Sequence, residues 1–341
     1  MSLSVVIPVT RVIEVRKCLE KLIKSFEFAQ LQNYEILLIK DMHCDLNLNS
    51  LTKKSNIRIL HCDSLHPSIR RNYGVKAATH NIIAFIDDDV YVHEHWVENA
   101  LKFIQDCDGV CGPIIQSRFE SALKNIVGLA QESFFSEGFN DNRNFKVASR
   151  FYDIPLCNVV IHRRVWIGVN GFNEIADYNV DDCEFFYLAE KKGFKFYNEP
   201  QLAVEHDLLP LGWAFVNKKI RQRFKGGINS MIFKEIYFKY TSVRLVWLSY
   251  FFLMLLAIIQ LNFSFNLIAY LKVLFSLYFV VAFSVSALKI KKHPMLVPFL
   301  PFVFFLIHII DYVSYTLGVF YYLTFHNKFD SVVEHKRKRM T

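Results

Sequence analysis

Apolar and polar residues alternate in short blocks along the first two-thirds of the chain, and then the polar residues all but disappear. Ser4-Val5-Val6-Ile7-Pro8-Val9 is a continuous apolar run of the kind that fills a buried parallel strand. Arg11 to Phe28 carries apolar residues at helical spacing. Tyr34 to Ile39 predicts a second strand, Ile57 to Leu60 a third, Pro67 to Thr79 a helix, Ile82 to Ile86 a fourth strand and Glu94 to Cys107 another helix. This alternation predicts an α/β domain built on a parallel sheet covered on both faces. Asn158 to His162 opens a further short α/β unit. Asp181 to Lys192 predicts a helix, turned at Gly193 into a strand from Phe194 to Tyr197, and Ala203 to His206 closes the domain.

The polar residues then thin out. Leu245 to Phe265 holds no charged residue, and about 20 apolar residues suffice to cross a bilayer. Leu267 to Leu288 carries only Lys272, and Met295 to Phe325 only His308 and Asp311. The chain therefore divides into a folded domain at 1–207, a basic amphipathic interfacial segment at 208–242, transmembrane helices at 243–325 and a basic tail at 326–341. The runs at 243–265 and 267–288 predict a tight hairpin. The run at 295–325 is long for one span and short for two, and Pro294, Pro298, Pro301 and Gly318 interrupt it. A bent or re-entrant hairpin keeping the C-terminus inside is the expectation, and a single tilted helix with the tail outside the alternative. His308 and Asp311, ionisable at membrane depth, are candidates for contact with an acceptor's lipid or for pairing with each other.

Composition sharpens this division. The chain has 33 Phe among 341 residues and a net charge of +8. The positive charge is concentrated between Asn217 and Lys239, at Lys289 to Lys292 and at Lys336-Arg337-Lys338-Arg339. Basic segments beside membrane spans mark the cytoplasmic face and attract anionic lipid. Nucleic acid is set aside, because no nucleic-acid motif accompanies the charge. Trp213 and Phe215 are expected as membrane-interface anchors, with the basic side chains of 208–242 snorkelling. The seven cysteines are odd in number and lack zinc spacing, so free thiols in a reducing cytosol are expected. No cleavable leader is expected, since charged, helix-like sequence follows Pro8 at once.

Candidate chemistry lies at strand ends. Asp41 and Asp87-Asp88-Asp89 follow predicted strands, and ligands of parallel sheets bind at carboxyl ends. Three successive carboxylates repel one another, and a divalent cation relieves the repulsion. Mn²⁺ or Mg²⁺, which takes one or two carboxylates together with phosphate oxygens, points to a diphosphate. A solvated acidic turn is the competing explanation. Asp181-Asp182 and Glu184 form a second acidic cluster at a helix start, where acids also favour the helix dipole.

Five blocks in order resemble glycosyltransferase family 2, the inverting enzymes of the GT-A fold, over about residues 3 to 207. They are Ser4 to Val9, Glu35 to Asp41, Arg71-Asn72-Tyr73-Gly74 leading to Ala84 to Asp89, Gly171-Phe172-Asn173-Glu174, and Asp181-Asp182-Cys183-Glu184 with Gly193. The resemblance implies a GT-A (Rossmann-like, nucleotide-diphospho-sugar transferase) domain followed by an all-α membrane region. It implies that Asp41 contacts the nucleotide base with Pro8 and Val9 lining its pocket, and that Asp87 lies near the ribose, with Asp88 and Arg71 on the same donor. Asp89, with His206, would hold the metal, and Asp182 would be the catalytic base. Asp181, Glu184, Arg221 and Arg223 are candidates on the acceptor or phosphate side. Lys40 stands where an acid is common in the family, and Asp181 where Glu is usual.

The implied activity is inverting, metal-dependent transfer from a UDP- or GDP-sugar to a hydroxyl of a lipid-linked or cell-surface glycan, by a multi-pass membrane protein with its catalytic domain in the cytosol. A polyprenyl-phosphate sugar synthase and a non-catalytic nucleotide-sugar receptor are the alternatives. A processive polysaccharide synthase is disfavoured by the absence of a Gln-x-x-Arg-Trp element.

Overall fold

The computed structural model describes residues 1–41, 56–115, 121–133, 135, 147–148, 151, 154–175, 181–238, 267–289 and 293–340. The run at 243–265 lies outside them. The described chain separates into two compact units. One comprises 1–115, 142–207 and 330–341, and the other 116–141 and 208–329.

In the first unit, β1 (Leu3–Pro8), β2 (Tyr34–Lys40), β3 (Ile57–His61) and β4 (Ile82–Ile86) are mutually parallel, in the spatial order β3-β2-β1-β4. Helix α1 (Val12–Phe28) follows β1 and turns Val15, Leu19, Leu22 and Phe26 into the core. Helix α2 (Pro67–Ala77) begins with proline, whose missing N–H costs nothing at the first helical turn. It lies against β1 because residue 74 is glycine; a Cβ there would strike Val6 Cγ1 and crowd Ile39. The chain winds outward from β1 to β3, then returns to place β4 on β1's other side. The order thus reverses at β1, which is where such sheets open a ligand crevice.

The sheet is mixed, not wholly parallel as the alternation of elements predicts. The chain continues through β5 (Val90–Val92), α3 (Trp96–Phe103), β6 (Gly109–Cys111), β7 (Ile114–Ile115), α4 (Ala122–Gln131), β8 (Val147–Ala148) and β9 (Asn158–His162). Strand β9 runs antiparallel to both β4 and β6, with Asn158 opposite Ile86 and His162 opposite Ile82. It enters the sheet at β4's carboxyl end, so it can only run back. After α5 (Arg163–Gly168) and α6 (Asp181–Lys191), β10 (Phe196–Asn198) and β8 complete eight strands in the order β3-β2-β1-β4-β9-β6-β10-β8. Strand β11 (Val204–His206) joins β5 and β7 in a separate three-stranded sheet. Buried Asn158 accepts from Trp96 Nε1 (3.0 Å) and donates to the carbonyls of Gly112 (3.1 Å) and Leu202 (2.8 Å), satisfying both groups where β9 starts.

One buried charge serves the sheet alone. Burial by itself would raise the Glu35 pKa, but hydrogen bonds from Thr79 N–H and Oγ1, Ser4 Oγ and Arg58 outweigh that and hold the carboxyl at about 2. Glu35→Ala is expected to destabilise the unit by about 1–3 kcal/mol by orphaning those donors, as read by denaturant unfolding. The folded value lies below the ordinary 4.5, so this contribution is fully present above about pH 4.5 and is lost as pH falls toward 2.

In the second unit, α7 (Trp213–Ile232), α8 (Lys234–Phe238), α9 (Leu267–Ala287) and α10 (Leu300–Phe325) accompany α4. The last apolar run is one helix rather than a hairpin. Pro301 sits in its first turn, where proline starts a helix instead of breaking it. Gly318 lets α7 cross closely, since a Cβ there would collide with the Phe224 carbonyl. Helix α11 (Asp330–Met340) follows after a short 3₁₀ turn. Pro294–Met340 is, among the described residues, the one helical stretch long and apolar enough to cross a membrane. Phe302, Leu306, Ile309, Val313, Leu317 and Phe320 form an exposed stripe along it at helical spacing.

Two expectations for the interfacial segment need correction. Trp213 is 75% exposed, but Phe215 is only 4% exposed and packs into the core with Leu129 and Phe304, so it is no surface anchor. Lys219 does not snorkel. It is buried, and burial first, with Arg223 second, pushes its pKa down to about 7 against the opposing pull of Asp311. His308 and Asp311 do not pair with each other either. Asp311 lies 2.8 Å from Arg223 Nε, while His308 meets Tyr278 Oη (2.9 Å) and the Phe135 carbonyl (2.8 Å).

Candidate active site

The carboxyl ends of β1, β2 and β4 bring the sequence-selected acids together through a set of arginines. Pro8 ends β1, and Val9, fully buried, continues it by donating to the Ile39 carbonyl (2.8 Å). Asp41 follows β2. Arg70, on α2 and without solvent exposure, joins the two strand ends. It donates to the Val9 carbonyl (2.7 Å), to Asp41 Oδ2 (2.9 Å) and to the Ser64 carbonyl (2.6 Å). Its neighbour Arg71 donates to Asp87 Oδ1 (2.9 Å).

The three consecutive aspartates are resolved into three environments. Asp87 keeps 34% of its side chain exposed and faces Arg71. Asp88 is buried, and its Oδ2 accepts from Thr10 N–H (2.5 Å), Thr10 Oγ1 (2.9 Å) and Arg11 N–H (2.7 Å). It therefore latches the loop between β1 and α1, and that oxygen is already engaged by protein donors. Asp89 is buried between Arg11, whose guanidinium pairs with Oδ2, and His206, whose Nε2 lies 3.5 Å from Oδ1. The register of the small sheet explains the last pair: His206 sits opposite Val90, the residue after Asp89, and Asp207 N–H donates to the Asp89 carbonyl (2.9 Å).

Asp89 and His206 offer one carboxylate oxygen and one imidazole nitrogen to the same point. Among the described residues no three His, Cys, Asp or Glu side chains form a protein-only cage. That donor set fits Mn²⁺ or Mg²⁺ shared with substrate phosphates, which is how these ions are usually held. Arg11, 41% exposed, is the cation that neutralises Asp89 in this structure.

Asp182 lies in the first turn of α6, where its Oδ1 accepts from Cys183 N–H (2.8 Å). Cys157, just before β9, reports its neighbourhood. Burial raises that thiol's pKa and Asp87 raises it further, Arg71 opposes, and Asp182 also raises it. Asp181 is the first residue of α6. Glu184 is fully buried and accepts from Asn173 Nδ2 (2.6 Å) and from Arg339 Nε (3.1 Å), so it is a structural anion of the helix rather than an exposed acceptor contact. Arg221 and Arg223 belong to the second unit on α7. Among the described residues, Cys18, Cys62 and Cys157 carry free thiols.

Sequence reasoning missed Arg70, Arg11, Thr10 and Asn72. Asn72 Oδ1 accepts from Phe172 N–H and Trp166 Nε1 (both 2.9 Å), and its Nδ2 donates to the Phe172 carbonyl and Glu174 (both 2.8 Å). The available signal was the pair Arg70-Arg71 in a helix set against a sheet edge rich in aspartate.

Residues 4–166 match the family described as Glycosyl transferase family 2. An uncharacterized glycosyltransferase of Rickettsia felis is 35% identical over 108 residues, and one of Rickettsia conorii is 33% identical over 109. The matched stretch covers 31% of this chain and 17% of either relative. Among solved structures, S. aureus TarS 1-349 in complex with UDP-GlcNAc aligns over 66% of each chain at 15% identity with a TM-score of 0.43.

Proposed function

We propose that this chain, whose residues 4–166 match glycosyl transferase family 2, transfers a sugar, with inversion, from a nucleotide-diphosphate donor to a hydroxyl of a lipid-linked or cell-surface glycan at the cytoplasmic face of a membrane. The observation that carries this reading is the convergence of Asp41, Asp87, Asp89 and His206, with Arg70 and Arg71, where the strand order reverses at β1. Pro8, Val9 and Asp41 receive the base, Asp41 held in place by Arg70. Asp87, oriented by Arg71, faces the ribose. Asp88 keeps the β1–α1 loop in the shape that the donor meets. Asp89 and His206 would hold Mn²⁺ or Mg²⁺, which supplies Lewis acidity toward the departing diphosphate. Asp182 takes the proton of the acceptor hydroxyl as that oxygen attacks from the face opposite the leaving group.

Membrane attachment rests on the exposed apolar stripe of α10 and on the basic residues beside it. Helix α11, with its basic end, belongs to the same compact unit as the sheet. A second reading, transfer to a polyprenyl phosphate, draws on Arg221 and Arg223 in α7, guanidinium groups suited to a phosphate.

The test is a donor panel. Full-length protein with Mn²⁺ is expected to release nucleoside diphosphate from one UDP- or GDP-sugar well above the others. Nucleotide binding with no turnover of any donor would instead describe a receptor.

A further inference from the structure

Glu184 owes its burial to a residue at the far end of the chain. Arg339, near the end of α11, donates from Nε to Glu184 Oε1 (3.1 Å), from Nη1 to the Asn170 carbonyl (3.1 Å) and from Nη2 to the Gly171 carbonyl (2.6 Å). Its side chain is 9% exposed and that of Glu184 not at all. A planar fork of donors suits this arrangement of one carboxylate and two carbonyls better than an ammonium would. The turn that it grips is left-handed at both residues, with φ of 60° at Asn170 and 70° at Gly171. The next residue, Phe172, is bonded through its own N–H and carbonyl to Asn72, which adjoins Arg71 and hence Asp87. On the other side, Glu184 lies two residues beyond Asp182 on α6. One guanidinium therefore ties the start of the helix bearing Asp182 to a loop hung from the donor side of the sheet.

We propose that Arg339 is a positioning residue for sugar transfer: brought in by the C-terminal helix, it fixes α6 against the Asn170–Gly171 turn and so sets Asp182 relative to the donor-side carboxylates. The proposal rests on the transferase reading above. It assigns the basic tail a task in the catalytic unit, beyond attraction to anionic lipid.

The test uses full-length Arg339→Ala, Arg339→Lys and Glu184→Gln with the nucleotide sugar that the wild-type chain turns over. UDP or GDP binding in the presence of Mn²⁺ is measured on the same samples. Arg339→Ala is expected to lower kcat about 10- to 100-fold, the scale of a small misplacement of reacting groups, with nucleotide affinity within about twofold of wild type. Arg339→Lys, retaining the charge without the fork, is expected to recover part of that loss, and Glu184→Gln to fall between Arg339→Ala and wild type. Unchanged kcat in Arg339→Ala would overturn the proposal. So would a parallel fall in kcat, nucleotide affinity and unfolding midpoint in all three variants, which marks a strut that merely holds the fold. A wild-type chain inert toward every donor would overturn the transferase reading, and this proposal with it.

Discussion

Asp182→Asn is expected to lower transfer to a hydroxyl acceptor by about 10²–10⁴-fold, the usual contribution of a positioned general base. Nucleotide affinity should stay within about twofold, because the proposed donor site is built on Asp41, Asp87 and Asp89 with their partners Arg70, Arg71 and Arg11. The substitution keeps size and hydrogen-bonding shape, and the Asn side-chain oxygen can still accept from Cys183 N–H. What it removes is the ability to carry a proton away. Rates of diphosphate release with and without acceptor separate the two terms. If the natural acceptor is a polyprenyl phosphate, already an anion, the same variant only slows the reaction, so the size of the loss identifies the acceptor class.

Asp89→Ala is expected to be the more damaging change for the donor. Its carboxylate faces both His206 and Arg11, and it is almost fully buried. Without it His206 alone remains of the proposed pair, and Arg11 keeps only the longer approach to Asp88 (3.8 Å). Loss of a metal's contribution to a developing charge is worth several kcal/mol, about 10³-fold or more in rate. Asp88 variants are expected to act differently, by loosening Thr10 and Arg11 and so lowering stability along with activity. A comparison of unfolding midpoints for the two substitutions distinguishes them.

Much of the fold was legible because each long apolar run has one dominant physical use. Runs as short and as apolar as Val5 to Ile7 or Ile36 to Ile39 fit a buried parallel strand, and Pro67 announces a helix start. The acids at strand ends followed from the same placement. The direction of β9 was not legible, since it depends on where the chain re-enters the sheet and not on its own residues. Nor were the partners of the acids: Arg70, Arg71 and Arg11 reach carboxylates distant in sequence, and local pattern carries no record of that. Prolines 298 and 301 read as breakers because their position within the helix decides their effect, and Pro301 falls in the first turn. Phe215 read as a membrane anchor because the apolar signal is the same for a lipid-facing ring and a core ring. Arg339 looked like part of a basic tail drawn to anionic lipid, and only the tertiary fold places it on buried Glu184.

The most direct measurement of the central claim is calorimetric titration of UDP and of GDP into full-length protein, with and without Mn²⁺, for wild type and for Asp89→Ala. The account predicts that Mn²⁺ tightens binding of one nucleotide at least tenfold in wild type and has no such effect in Asp89→Ala. Equal affinity with and without the metal, or an Mn²⁺ enhancement that survives loss of the Asp89 carboxylate, would contradict it.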